Sequence, residues 1–248
     1  MNKLNTSNFN GGVAEQWIKE NSWGMIKIKI LVGSQNFGYD IEGSDKDYLE
    51  IKTPTWEDIA NGVIRLDQPL VIDKDNNKKI DEHLKYRDIR LHFKYMKHAH
   101  INTMQTLFSK EYENAEDYQW CIDNRQRICR LDLWKSYKVN SGNIMEMLDK
   151  SKVTNKDIVR AYVFKSILDR LISDDEFTVY VEGSREYRLW LDTIDEHSRE
   201  NEIKSIRKSV ECLEDKYKKF QGRADAEMID LINKELIRIL KKSLGVIV

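Results

Sequence analysis

Between Met25 and Gly33, Ile26, Ile28 and Ile30 alternate with Lys27 and Lys29 before an apolar run and a glycine. That period of two predicts a half-buried β-strand over 25–33. Residues 45–53 alternate again, with Tyr48 and Glu50 on one face and Leu49 and Ile51 on the other, and predict a second strand. The stretch 34–44 between them holds Gly38, Gly43 and Ser44 and reads as turns. Residues 54–70 carry Pro54, Gly62 and Pro69 around a short helical turn; 73–79 read as a polar hairpin loop and 80–86 as a third strand.

From Asp88 the period becomes helical, with Asp88 as N-cap ahead of Ile89, Phe93 and Met96. A second helical stretch, 101–109, carries Met104, Leu107 and Phe108. Beyond residue 112 the pattern is mostly helical and free of proline, which suits long uninterrupted helices. Over 155–173, Ile158, Tyr162, Ile167, Leu168 and Leu171 form an apolar stripe; over 224–243, Met228, Ile232, Leu236 and Ile239 do so. Residues 176–183 read as a strand or a turn, and 13–22 as a short helix on Ala14, Trp17 and Ile18 after a frayed polar start over 1–12. The pattern predicts an α+β front domain, residues 1–110, followed by a mostly α-helical C-terminal domain, residues 111–248.

Composition narrows the function classes. The chain has 248 residues, with Lys+Arg 41 against Asp+Glu 42 and a net charge of -1. That balance excludes a strongly basic coat for non-specific nucleic-acid binding and leaves local patches such as 125–130 and 216–219, read as solvated faces. With 40% hydrophobic residues and 2 prolines, it has the make-up of a globular domain with a real core. Cys121, Cys129 and Cys212 form no CxxC pair, so three reduced thiols are expected rather than a disulfide framework or a zinc site. No long apolar run spans a membrane, no signal-type apolar region opens the chain, and a cytoplasmic location is expected.

Candidate chemistry concentrates where the first two strands meet. Gly33-Ser34 closes the first strand, ten residues follow, and Asp45-Lys46-Asp47 opens the second. Glycine lets a phosphate approach the backbone and the Ser34 hydroxyl can donate to it. Asp45 and Asp47, two apart on a strand, point to one face. Paired hard oxygen donors suit Mg²⁺, which binds through few carboxylates together with substrate phosphates. No Walker A, GxSxG or HExxH pattern occurs. His98 and His100 lack a nearby third acid and are expected to be surface polar residues.

This combination resembles the nucleotidyltransferase superfamily typified by DNA polymerase beta, whose signature joins Gly-Ser to Asp-x-Asp across a short loop. The fuller stretch GSQNFGYDIEGSDKDY, residues 33–48, is similar to a branch of predicted bacterial and bacteriophage nucleotidyltransferases with a GSxxxG…SDxD motif. The chain departs from that branch at Leu49-Glu50-Ile51, where its members carry a glycine. Residues 82–109 follow the branch's layout, with Lys97-His98-Ala99-His100-Ile101-Asn102 in the place of a KGNPN turn and Leu107-Phe108-Ser109 at the end.

The resemblance implies a small mixed β-sheet core with flanking helices. It implies a metal-dependent enzyme that moves an NMP, AMP first among them, from a nucleoside triphosphate such as ATP to an acceptor hydroxyl, releasing pyrophosphate. Mg²⁺ (or Mn²⁺) would be held by Asp45, Asp47 and a third acid. Gap-free counting puts Glu82 in that third place; Asp81, one residue away, faces oppositely and is the exclusive alternative. Gly33 and Ser34 would hold the β- and γ-phosphates. A Lys-x-x-x-His-x-x-Arg helix of the family is matched by Lys156, with Arg160 and Val163 replacing its other two residues. The acceptor is left open among an RNA or tRNA end, a protein hydroxyl and a small molecule. The alternative is a catalytically reduced binding protein of toxin–antitoxin or host–virus type. A third is an interaction protein whose C-terminal helices form a homodimer.

Overall fold

A computed structural model of the chain describes residues 24–65, 68–69 and 82–246. The start over 1–12, the helix expected over 13–22 and the loop over 73–79 lie outside the described residues.

The two alternating runs pair with each other. β1 (Lys27–Val32) and β2 (Lys46–Lys52) are antiparallel, with Ile28 opposite Ile51 and Val32 opposite Asp47. Ile28, Ile30, Leu49 and Ile51 form their buried face. The intervening stretch, expected as turns, begins with one helical turn, α1 (Ser34–Phe37). Gly38, at φ 88°, closes it in the left-handed region. After β2 comes α2 (Trp56–Ala60), started by a capping box between Thr55 and Asp58. β3 (Gln68–Pro69) is antiparallel to β4 (Glu82–Asp88), and β4 runs parallel to β2. A parallel pair needs a crossover of this length.

Asp88 accepts from the Arg90 N–H and starts α3 (Ile89–Lys97), as its sequence position predicts. α4 (Ile101–Met104) tightens into a 3₁₀ turn at Gln105–Leu107. β5 (Tyr112–Glu113) then joins the far edge, completing a five-stranded mixed sheet in the order β3-β4-β2-β1-β5.

The remaining helices are α5 (Gln119–Asp123), α6 (Arg125–Cys129), α7 (Leu133–Leu148), α8 (Asn155–Ser173), α9 (Ser184–Leu191), α10 (Glu196–Lys218) and α11 (Ala226–Ser243). The molecule is thus α+β with a helical second half. α8 has the predicted bounds because Thr154 and Asp157 form a capping box at its start. Ile158, Ile167, Leu168 and Leu171 are fully buried, while Tyr162 stays half-buried and stacks on Tyr187 at 4.2 Å. Residues 176–183 form no strand: Phe177, Val179 and Val181 are buried in an irregular segment ending in a turn.

The apolar core is continuous across both halves, from Ile28 and Ile51 through Phe164 to Ile239. Cys121 and Cys129 are buried thiols and Cys212 an exposed one. Among the described residues no helix is long and apolar enough to cross a membrane.

Candidate functional site

The Val32–Asp47 pairing brings the start of the Gly-Ser turn against the second aspartate. Gly33 has φ 83°, and a Cβ there would lie 2.6 Å from Asp47 Oδ2. Glycine is therefore required twice, for conformation and for space. The Gly33 N–H donates to Gln105 Oε1 at 2.7 Å. Asn36 pins the same turn, its Nδ2 donating to the Leu31 carbonyl at 2.6 Å. Farther along, Ser44 N donates to Ile41 O and Ile41 N to Ser44 Oγ, each at 2.9 Å. That closed loop delivers Asp45 to the start of β2.

A cleft of about 380 Å³ opens over this junction, lined among others by Gly33, Ser34, Asp47, Lys85, Arg87, Lys156 and Arg160. An adjoining space of about 220 Å³ shares Ser34, Asp47 and Lys156 and adds Asp45 and Arg188. Gly33, Ser34, Asp45, Asp47 and Lys156, all singled out from the sequence, are thus brought together. Ser34 is nearly buried, the two aspartates are half-buried and Lys156 is exposed.

α8 supplies Lys156 and Arg160 one helical turn apart, so both face the cleft. Arg160 Nη2 donates to Asn102 Oδ1 at 3.0 Å, its guanidinium lies 5.3 Å from the centre of the Phe164 ring, and its buried Nε has no partner among the described residues. Val163 is fully buried in the core, so its helix position does not serve the cleft.

β4 supplies the opposite wall. Pairing sets His83 level with Asp47, Lys85 with Leu49 and Arg87 with Ile51. Glu82 is level with Lys46 instead, on the other parity from Asp47. Asp81 lies outside the described residues. Of β4, Lys85 and Arg87 line the cleft.

The ring of His100 is not a surface group. It accepts from Asn102 N through Nδ1 at 3.2 Å, contacts Asn143 Nδ2 through Nε2 at 3.1 Å, and caps α4. Burial first, then the charges of Arg87 and Arg160, lower its pKa to about 4, so it is neutral at pH 7. His98 is half-buried, and its pKa is lowered by burial first and then by Lys135 and Lys94. Tyr39 borders the cleft; burial, the largest influence, raises its pKa. Its carbonyl accepts from Arg188 Nη1 at 2.9 Å, which ties α9 to the Gly-Ser turn.

Among the described residues no three His, Cys, Asp or Glu side chains form a metal group on their own. Asp45 and Asp47 are nonetheless two hard oxygen donors in a cleft whose lining also includes Lys85, Arg87, Lys156 and Arg160, which fits Mg²⁺ completed by substrate phosphates.

Sequence reasoning missed Lys85, Arg87, Gln105 and Arg188. The odd-numbered alternation His83, Lys85, Arg87 was a signal for the first two; for Gln105 and Arg188 there was none. No protein-family model matches the chain, and no match appears among curated proteins. The site is read from its own residues.

Proposed function

We propose that this protein is a metal-dependent nucleotidyltransferase acting on a nucleoside triphosphate. The observation that carries the reading is the contact of Gly33 with the Asp47 carboxylate, in a cleft that also holds Ser34, Asp45, Lys156 and Arg160. Ser34 donates to the terminal phosphates, and Lys156 and Arg160 offset their charge. Asp45 and Asp47 would hold the divalent cation. When bound, that ion neutralises charge on the attacking and leaving oxygens.

The acceptor oxygen forms a bond to the α-phosphorus, the bond from that phosphorus to the bridging oxygen breaks, and pyrophosphate leaves. The acceptor proton passes to the third acid. That acid is Glu82 by gap-free counting, with Asp81 as the exclusive alternative. A second reading, a related fold kept for nucleotide binding alone, is favoured by the basic Lys85 and Arg87 on the Asp47 face of β4.

Thermal melting in Mg²⁺ or Mn²⁺ with ATP, GTP, CTP and UTP tests the proposal. A ligand at a hundredfold its Kd adds about 2.7 kcal/mol. One nucleotide is expected to raise Tm in a metal-dependent way, and the double variant Asp45→Ala/Asp47→Ala to abolish the rise. No rise with any nucleotide refutes it. Pyrophosphate release by the wild type separates the two readings, and turnover retained in both Asp81→Ala and Glu82→Ala sinks the three-acid mechanism.

A further inference from the structure

We infer, on the nucleotidyltransferase reading of this cleft, that Tyr39 is a further nucleotide-binding residue, whose hydroxyl donates to a terminal phosphate oxygen of the triphosphate.

Tyr39 follows the Gly-Ser turn and is locked to it. Its N–H donates to the Ser34 carbonyl at 3.1 Å, and its own carbonyl accepts from Arg188 Nη1 at 2.9 Å. Its ring lies nearly parallel to that of Phe37, 6.1 Å between centres, and Phe37 packs in turn on Phe164 at 5.5 Å. Tyr39 is only 3% exposed, yet it lines the cleft together with Ser34. A side chain fixed on so many sides has little freedom left to lose when a ligand arrives.

The hydroxyl takes no part in this bracing. It makes no hydrogen bond among the described residues, although a tyrosine buried this deeply ordinarily finds a partner for its O–H. The charged groups that act on it are Arg160, Asp47 and Arg188, which line the cleft and the adjoining space. Glu42 and Asp45, the other acids of that adjoining space, are not among them. Both guanidiniums are donors only, so neither can accept the phenolic proton. Burial raises the pKa of the phenol, so it keeps that proton at pH 7. Asp47, the one acceptor of the three, is committed to the divalent cation in the proposed function. The phenol is thus a fixed donor without an acceptor, set between two guanidiniums. A phosphate oxygen supplies the acceptor and a negative charge at once. Ser34, whose carbonyl holds the Tyr39 N–H, faces the same terminal phosphates. A sugar hydroxyl could accept the proton but would bring no charge to Arg160 and Arg188.

The test is calorimetric titration of the full chain in Mg²⁺, comparing wild type with Tyr39→Phe. The probe is an α,β-methylene analogue of the nucleotide that raises Tm, in its ribose and 2′-deoxy forms. Both proteins are also melted without nucleotide. The substitution removes one oxygen and keeps the ring. Without nucleotide the Tm of Tyr39→Phe should equal or exceed that of wild type, because a buried hydroxyl with no partner does not stabilise the fold. Its affinity for the ribose form should fall about tenfold or more, the loss of one hydrogen bond to a charged group. The 2′-deoxy form should lose affinity by the same factor. Unchanged affinity for the ribose form overturns the inference and leaves the nucleotide reading standing. So does a loss confined to the ribose form, since the hydroxyl would then serve the sugar. A lower Tm without nucleotide overturns it as well, by making the hydroxyl part of the fold. A wild-type chain whose Tm responds to no nucleotide refutes the underlying reading, and the inference with it.

Discussion

On one face of β2, Tyr48 donates to Glu111 at 2.8 Å, Lys46 pairs with Glu111 at 3.5 Å, and Lys52 pairs with Glu50 at 3.2 Å. Next to them Lys29 pairs with Glu113 at 3.0 Å, and the Lys52 ammonium lies 3.6 Å from the centre of the Tyr86 ring. On the other face, Leu49 and Ile51 enter the core and Asp47 ends the row in the cleft. There Lys85 and Lys156 have no carboxylate partner among the described residues. Charge on the first face is answered within the protein, so it serves the fold. Charge on the second is gathered into a concave space. Titratable groups gathered in a cleft are a functional-site signal.

The comparison can be broken first through the core. Ile51→Ala removes a fully buried core side chain and is expected to cost about 2–5 kcal/mol in urea unfolding. Gly33→Ala should cost about 1–3 kcal/mol, since it forces a side chain into a left-handed backbone and onto Asp47. It should also remove the nucleotide-dependent rise in Tm. A Gly33→Ala protein with wild-type Tm and wild-type nucleotide response would deny the close approach.

His100 separates the faces by pH. Its folded pKa is depressed, from 6.5 to about 4, so the unfolded chain binds the proton more readily. The stability it contributes is complete above pH 6.5 and is lost as pH falls toward 4. Unfolding at a series of pH values should show His100→Asn flattening that decline; an unchanged slope would exclude His100 as its source.

Smaller effects sharpen the contrast. Glu113→Gln breaks a partly exposed pair and should cost about 0.2–1 kcal/mol, shrinking as salt rises. Lys156→Ala should change stability by less than about 0.5 kcal/mol while weakening the nucleotide response. A large loss of stability would show Lys156 to be structural.

Much of this was legible in the chain, and the reason is that the signals are local. The alternation in 25–33 and 45–53 is realised as β1 and β2, Asp88 caps α3, and α8 has the bounds its stripe predicts. Gly33-Ser34 and Asp45-Asp47 could be recognised because both lie on one hairpin-like unit whose pairing follows from its own pattern. Periodicity tells which residues share a face of one element, and no more. Which face of β4 meets Asp47 depends on the register between strands joined by a long crossover, and that register sets Lys85 and Arg87 on the Asp47 face and Glu82 level with Lys46. Likewise, only packing brings Gln105 to the Gly33 N–H, Arg188 to Tyr39, and His100 between Asn102 and Asn143. The sequence by itself determined the elements, their caps and the Gly-Ser and Asp-x-Asp pair. The tertiary structure alone decided which charges face one another, because their free energy depends on distances between segments far apart in the chain.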